Sequence, residues 1–295
     1  MHFHISIVGV KERQEKMKFV RKGISPVLEE KEQNGLVYLT FPAFSRTGIV
    51  SHLFSTRMGG ISQGMFSTLN LSFTRGDDKE AVIENYRRVA AVLGCELKDF
   101  VCSDQTHTVN IRKVTKADCG KGVIYPKDYG DVDGLITDEL GIVLSTFYAD
   151  CVPLYFVDTK KRVIGLAHSG WRGTVGRIGA GMVRLMQEEY GCHAKDILAA
   201  VGPSICRDCY EVSEDVADVF KKEFGEAVLT AGMAPGKYQL DLWKANELVL
   251  KQAGLSPKQI TVTDICTCCN PALLFSHRAS HGKRGNLGAF LMLKP

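Results

Sequence analysis

The sequence contains no run of about 18 consecutive apolar residues, so no stretch of it reads as a membrane-spanning helix. It has no excess of one charge either. Lys and Arg number 37 against 33 Asp and Glu, a formal net charge of +4. The basic residues are scattered, which gives no electrostatic footprint for nucleic acid. The N-terminal residues lack a signal-peptide shape, because their short apolar stretch runs into Lys11, Glu12 and Arg13. A cytoplasmic location is therefore expected. Internal repeats and low-complexity tracts are also missing, which excludes solenoids and arrays.

What is present begins with ten cysteines. In a long chain without a signal they read as reduced thiols, metal ligands or a nucleophile rather than a disulfide framework. Residues 1–35 read as an N-terminal extension. Within it, His2–Val10 alternates like a short strand, and the charged stretch around Glu29-Glu30-Lys31-Glu32 reads as a solvated linker. The remainder, 36–295, reads as one catalytic domain, and a hydrophobic content of 45% is ample for its core.

Strands are expected at Leu36–Phe41, Ile49–Phe54, Val101–Ser103, Val109–Val114, Gly134–Thr137 and Ile142–Phe147. Val152–Val157 and Val163–Ala167 form a hairpin-like pair, and the tail alternates again at Ala289–Leu293. Asp77 or Asp78 caps a helix that Gly94 closes, and helical periodicity marks Thr174–Tyr190, Glu214–Phe224 and Leu240–Ala253. Strands mostly follow strands and helices are grouped, so the fold class is α+β.

Three segments place a ligand type at the end of an apolar strand: Gln105-Thr106-His107, Asp150-Cys151 and Ala167-His168. Two imidazoles and a thiolate suit zinc or copper, and three protein ligands leave the open position of a catalytic site. An ordinary packed cysteine and hydrogen-bonded histidines fit the same residues. Asp150 could carry a proton, or be a hydrogen-bonded strand-end carboxylate. Arg172 sits in a glycine-bearing turn before a helix, and Arg57 in another glycine-rich turn; both suit phosphate, or simple solvation. Asp131-Val132-Asp133-Gly134 reads as a tight turn or as an orienter of a ligand imidazole. Cys206 and Cys209, with Cys266, Cys268 and Cys269, could bind a second metal, form a redox pair, or pack as thiols.

Taken together, Phe54-Ser55-Thr56-Arg57 with Gly59-Gly60, Gln105-x-His107, Asp131-x-Asp133-Gly134, Ala149-Asp150-Cys151-x-Pro153, His168-x-Gly170-Trp171-Arg172-Gly173 and Gly202-Pro203-x-Ile205 resemble the YfiH-type family, also called multicopper polyphenol oxidase or laccase-domain proteins. The likeness runs from about Gly35 to the C-terminus. It implies a single CNF/YfiH-like α+β domain with mixed or antiparallel sheets flanked by helices. It also implies a purine nucleoside phosphorylase acting on adenosine, inosine and methylthioadenosine, with adenosine deaminase activity. The implied metal is zinc, with copper as the alternative, on His107, Cys151 and His168, with Asp150 as a further catalytic residue. Arg57, Arg172 and Gln105 are the implied contacts to nucleoside and phosphate. Neither nucleic acid nor membrane is an expected partner. Alternatives are a copper-dependent polyphenol oxidase, a Cys–His hydrolase built on Cys151, and a peptidoglycan precursor editing factor. Thr108 and Cys206 stand where the family often has glycine. Arg278-Ala279-Ser280 and Arg284-Gly285-Asn286 also depart from its pattern, so no role is carried over to them.

Overall fold

A computed structural model of the chain describes residues 18–294, and the strand expected over His2–Val10 lies outside the described residues. The described residues form two six-stranded sheets and one of three strands. In spatial order the first sheet runs Glu29–Gln33, Leu36–Thr40, Val50–Ser55, Leu287–Leu293, Val143–Tyr148 and Phe100–Cys102. The second runs Ile260–Val262, Ile197–Val201, Val152–Asp158, Val163–Ser169, Gly134–Thr137 and Ile111–Lys113. Pairing is mostly antiparallel, with a parallel pair at one edge of the first sheet and at both edges of the second.

The period of two along each strand explains how the sheets stack. Val152–Asp158 is buried throughout. Its Leu154 and Phe156 pack with Met182 and Val183 of helix Ile178–Tyr190 and Ala245 and Leu250 of helix Leu242–Gln252. Tyr155 and Val157 point the other way, into a core shared with Phe54, Leu144 and Leu291 of the first sheet. The alternate residues Leu53, Val143 and Phe290 lie under helix Lys79–Leu93. The layers are therefore helix, sheet, sheet, helices, the expected α+β domain with mixed sheets. Buried tyrosine hydroxyls need partners, and two find them across the layers. Tyr155 donates to the Leu53 carbonyl at 3.0 Å and Tyr148 to the Ala167 carbonyl at 3.0 Å.

Asp78, rather than Asp77, caps Lys79–Leu93 by accepting from the Ala81 amide at 2.8 Å, and Gly94 at φ 74° closes it. The continuous helix expected over Thr174–Tyr190 is two helices, Trp171–Val175 and Ile178–Tyr190. Between them Arg177 takes φ 61°, which no α-helix accommodates. The charged stretch read as a linker is also different. Glu29–Gln33 pairs with Leu36–Thr40 around Asn34-Gly35, both at positive φ, as a two-residue hairpin requires. All five of its side chains are exposed, so it shows no apolar alternation.

Candidate functional site

His107 lies in the loop after the first-sheet strand Phe100–Cys102, Cys151 directly before Val152–Asp158, and His168 near the end of Val163–Ser169. One ligand atom from each lies within 4.8 Å of the others. His107 Nε2 is 4.0 Å from Cys151 Sγ, and the two imidazole centroids are 4.9 Å apart. The backbone bends to bring them there. His107 has φ 67° and Asp150 φ 93°, conformations costing a non-glycine residue on the order of 1–3 kcal/mol. At Gly170 a Cβ would lie 2.9 Å from His107 Cδ2 and 3.2 Å from Cys151 Sγ, so a glycine there leaves room for both groups.

Asp133 organises the cluster. It is fully buried, and its Oδ1 accepts from His168 Nδ1 at 2.7 Å. Its Oδ2 accepts the amides of Thr106 at 3.1 Å and Thr108 at 2.9 Å and the Thr108 hydroxyl at 3.0 Å. Of the two roles open for Asp131–Gly134, Asp133 therefore takes the orienting one. With Nδ1 engaged, His168 keeps Nε2 for the cluster.

Burial pushes the Cys151 thiol up, but His168 and the hydrogen-bonded His107 outweigh it and hold the thiol at about 6. Burial pushes His168 down, and Cys151 and Asp133 overcome this to raise it to about 9. The side chains alone thus favour a thiolate beside an imidazolium. A tetrahedral zinc ion bound at roughly 2.0–2.3 Å sets its ligands roughly 3.3–3.8 Å apart. The 4.0 Å between His107 Nε2 and Cys151 Sγ comes close to that. The donor set fits one ion with a vacant position.

The three residues share the wall of a cleft of about 760 Å³, a size suited to a small organic molecule. Phe73, Tyr125, Phe147 and Tyr148 give it aromatic surface, and Arg75, Lys79, Lys127 and Arg284 give it positive charge. Its one acid, Asp104, is paired with Lys127. Burial lowers Arg284, and the neighbouring Arg75 lowers it further, to about 10. Arg284 Nε is buried without a hydrogen-bond partner among the described residues.

The other expected site residues are placed differently. Gln105 lines the cleft, but its Nε2 donates to the Phe147 carbonyl at 2.7 Å and its Oε1 accepts the Phe147 amide at 2.6 Å. It straps the His107 loop to the first sheet. Asp150 is outside the lining. Its carboxylate accepts the Thr267 hydroxyl at 2.6 Å and the Arg278 amide at 2.7 Å. Arg57 also lies outside the cleft, donating to the Ser67 and Pro271 carbonyls at 2.7 and 2.9 Å and lying 4.6 Å over the Phe275 ring. Arg172 is exposed and stacks on Trp171 at 4.2 Å. The positive charge on the cleft comes instead from Arg75, Lys79, Lys127 and Arg284, which sequence reasoning missed. Arg284 stands in a segment that departs from the family pattern, and Arg75 in a loop with no motif around it.

The sequence profile of a family described as multi-copper polyphenol oxidoreductase laccase matches residues 51–294. A protein named purine nucleoside phosphorylase YlmD, from Geobacillus stearothermophilus, is 41% identical over 272 residues, which span 90% of this chain and 97% of the relative. A protein named adenosine deaminase RL5, from an unknown prokaryotic organism, is 35% identical over 229 residues, spanning 76% of this chain and 87% of the relative. Among solved structures, Bacillus licheniformis hypothetical protein YfiH superposes with a TM-score of 0.84 at 34% identity, covering 90% of this chain and 99% of that one.

Proposed function

The chain belongs to the multi-copper polyphenol oxidoreductase laccase family, and from that premise we propose that it is a zinc-dependent purine nucleoside phosphorylase with adenosine deaminase activity. The observation that carries this reading is the convergence of His107, Cys151 and His168 on an aromatic cleft rimmed with arginine and lysine. Such a cleft suits a flat heterocycle together with an anion.

In this reading the purine of adenosine, inosine or methylthioadenosine lies against Phe73, Tyr125 and Phe147. Phosphate pairs with the guanidinium of Arg284 and with Arg75, both of which line the cleft. Holding phosphate and nucleoside together removes much of the entropic barrier to their reaction. A phosphate oxygen attacks the anomeric carbon as the glycosidic C–N bond breaks. The bonding pair leaves with the purine, which takes up a proton, and the products are free base and ribose 1-phosphate. Deamination uses the same cleft: water adds at the amino-bearing ring carbon and ammonia departs. His107, Cys151 and His168 would hold the zinc, with Asp133 orienting His168; zinc there supplies electrophilic polarisation and a water acidic enough to ionise near neutral pH. Asp150 is held by Thr267 and Arg278, so we assign it a positioning role beside Cys151 rather than proton transfer.

Copper-dependent oxidation of phenols fits less well. Reducing dioxygen to water needs several redox centres, and among the described residues the cleft carries one His/Cys group. A Cys–His hydrolase would use Cys151 with His107 and no metal. We place the protein in the cytoplasm, whose reducing conditions keep cysteines available as metal ligands. The test is to incubate purified protein with adenosine and phosphate and look for adenine and ribose 1-phosphate. No product from zinc-loaded protein would end the phosphorylase reading, and full activity in His107→Ala would end the assignment of the site.

A further inference from the structure

Outside the cleft lining, Cys206 and Cys209 form one Cys-x-x-Cys pair and Cys266 and Cys269 form another. One sulfur from each of the four lies within 4.8 Å of the others, and Cys209 Sγ and Cys269 Sγ are 3.5 Å apart. We propose that these four cysteines hold a structural zinc ion, separate from the group at His107, Cys151 and His168.

The geometry suits one ion. With zinc–sulfur bonds of about 2.3 Å, a tetrahedral site sets its sulfurs roughly 3.8 Å apart, and paired C-x-x-C spacings are the usual source of four thiolates. Two backbone amides, of Cys206 and Cys269, point at Cys266 Sγ from 3.2 and 3.4 Å. Donors aimed at a sulfur favour its thiolate form, as a metal ligand requires. Cys268, the remaining cysteine of this region, stands outside the set, so the convergence is selective. All four positions are protein ligands, which is the closed arrangement of a structural ion and leaves no room for substrate.

The surroundings fit that role. Four thiolates and one zinc ion carry a net double negative charge, and the Lys22 ammonium reaches Asp208, between Cys206 and Cys209, at 3.0 Å. Residues 20–22 clasp the other loop. The Val20 amide donates to Asn270 Oδ1 at 2.7 Å and the Lys22 amide to the Asp264 carbonyl at 2.8 Å. Thr267, inside the second pair, bonds Asp150 at 2.6 Å, and Asp150 adjoins Cys151. The ion would thus brace, from behind, the turn that presents Cys151. This inference does not rest on the phosphorylase reading.

The test measures zinc per chain in protein purified without chelator. In a His107→Ala/Cys151→Ala/His168→Ala background, one equivalent of zinc is expected to remain. Adding Cys206→Ser and Cys269→Ser should remove it. If those variants do not fold, cobalt exchanged into the wild type reports instead, through the strong visible bands of a tetrahedral four-thiolate site. Alkylation mapped by mass spectrometry is a further readout: Cys206, Cys209, Cys266 and Cys269 should be protected until a chelator is added, while Cys268 labels freely. A Cys209–Cys269 disulfide in the purified protein, an iron–sulfur cluster on these cysteines, or no zinc in the first background would overturn the proposal.

Discussion

Asp133 Oδ1 accepts the Nδ1 hydrogen of His168 at 2.7 Å, and the same oxygen takes the amide of His107 at 3.3 Å. One buried carboxylate therefore sets the tautomer of one imidazole and the backbone that carries the other. Asp133→Asn keeps the volume but offers an amide where an acceptor is needed. Zinc affinity is expected to fall roughly 10- to 100-fold, with activity falling alongside. Competition against a chromophoric chelator measures this, and an unchanged affinity would mean that another group orients His168.

The thiol of Cys151 should be reactive at unusually low pH in zinc-free protein. Its ionisation is held at about 6, below the ordinary thiol value of 9.0, so iodoacetamide labelling should rise with a midpoint near pH 6. The stability signs oppose each other. The depressed Cys151 value contributes stability that is complete above pH 9 and lost as pH falls through about 6. The raised His168 value contributes stability that is complete below 6.5 and lost as pH rises through about 9. The slopes offset between those limits, which makes labelling the sharper measurement. A labelling midpoint near 9 would show that the imidazole does not support the thiolate.

Phosphate recognition should follow Arg284 and Arg75 rather than Arg57 or Arg172. Arg284→Met is expected to raise KM for phosphate by roughly 10- to 100-fold, the worth of a charged hydrogen bond. Arg172→Ala should leave it unchanged. Arg57→Met should lower stability by about 1–3 kcal/mol, because the Ser67 and Pro271 carbonyls lose their donor. Steady-state kinetics at varied phosphate, paired with denaturant unfolding, separates these outcomes.

Gly170→Ala should damage the site while sparing the fold. Its new Cβ would stand 2.9 Å from a ring carbon of His107, so the imidazole must move. We expect weaker zinc binding and at least about tenfold lower activity, since small misplacements at a reacting centre are costly. Near-native circular dichroism with normal activity would show that the loop gives way without consequence.

Chelation followed by metal return distinguishes the functional readings. Dialysis against a chelator should abolish adenosine cleavage, and zinc should restore it. Restoration of phenol oxidation by copper alone would favour the oxidase. Activity that survives chelation but not alkylation would favour the hydrolase.

Much of this site could be read from the sequence, because strand ends announce themselves. Val152–Asp158 and Val163–Ser169 are continuous apolar runs, and Cys151 and His168 mark their limits. Glu214–Phe224 was equally plain from its period. Arg57 and Asp150 show where such reading stops. Both have the right chemistry and a neighbouring motif, yet each commits a hydrogen bond to a loop more than 100 residues away, at Pro271 and Thr267. Arg284 shows the converse, since only tertiary packing leaves its Nε buried without a partner. Glu29–Gln33 was hidden because hairpin register comes from Asn34-Gly35, not from its five exposed side chains.

The hydroxyls of Tyr148 and Tyr155 work as rivets between the two large sheets. His107 follows a strand of one sheet while Cys151 and His168 belong to the other, so any sliding of the layers would pull the three apart. With that seam fastened, the floor carrying His107, Cys151 and His168 keeps one geometry, so a molecule seated beside Arg75, Tyr125 and Arg284 meets a ligand set already assembled.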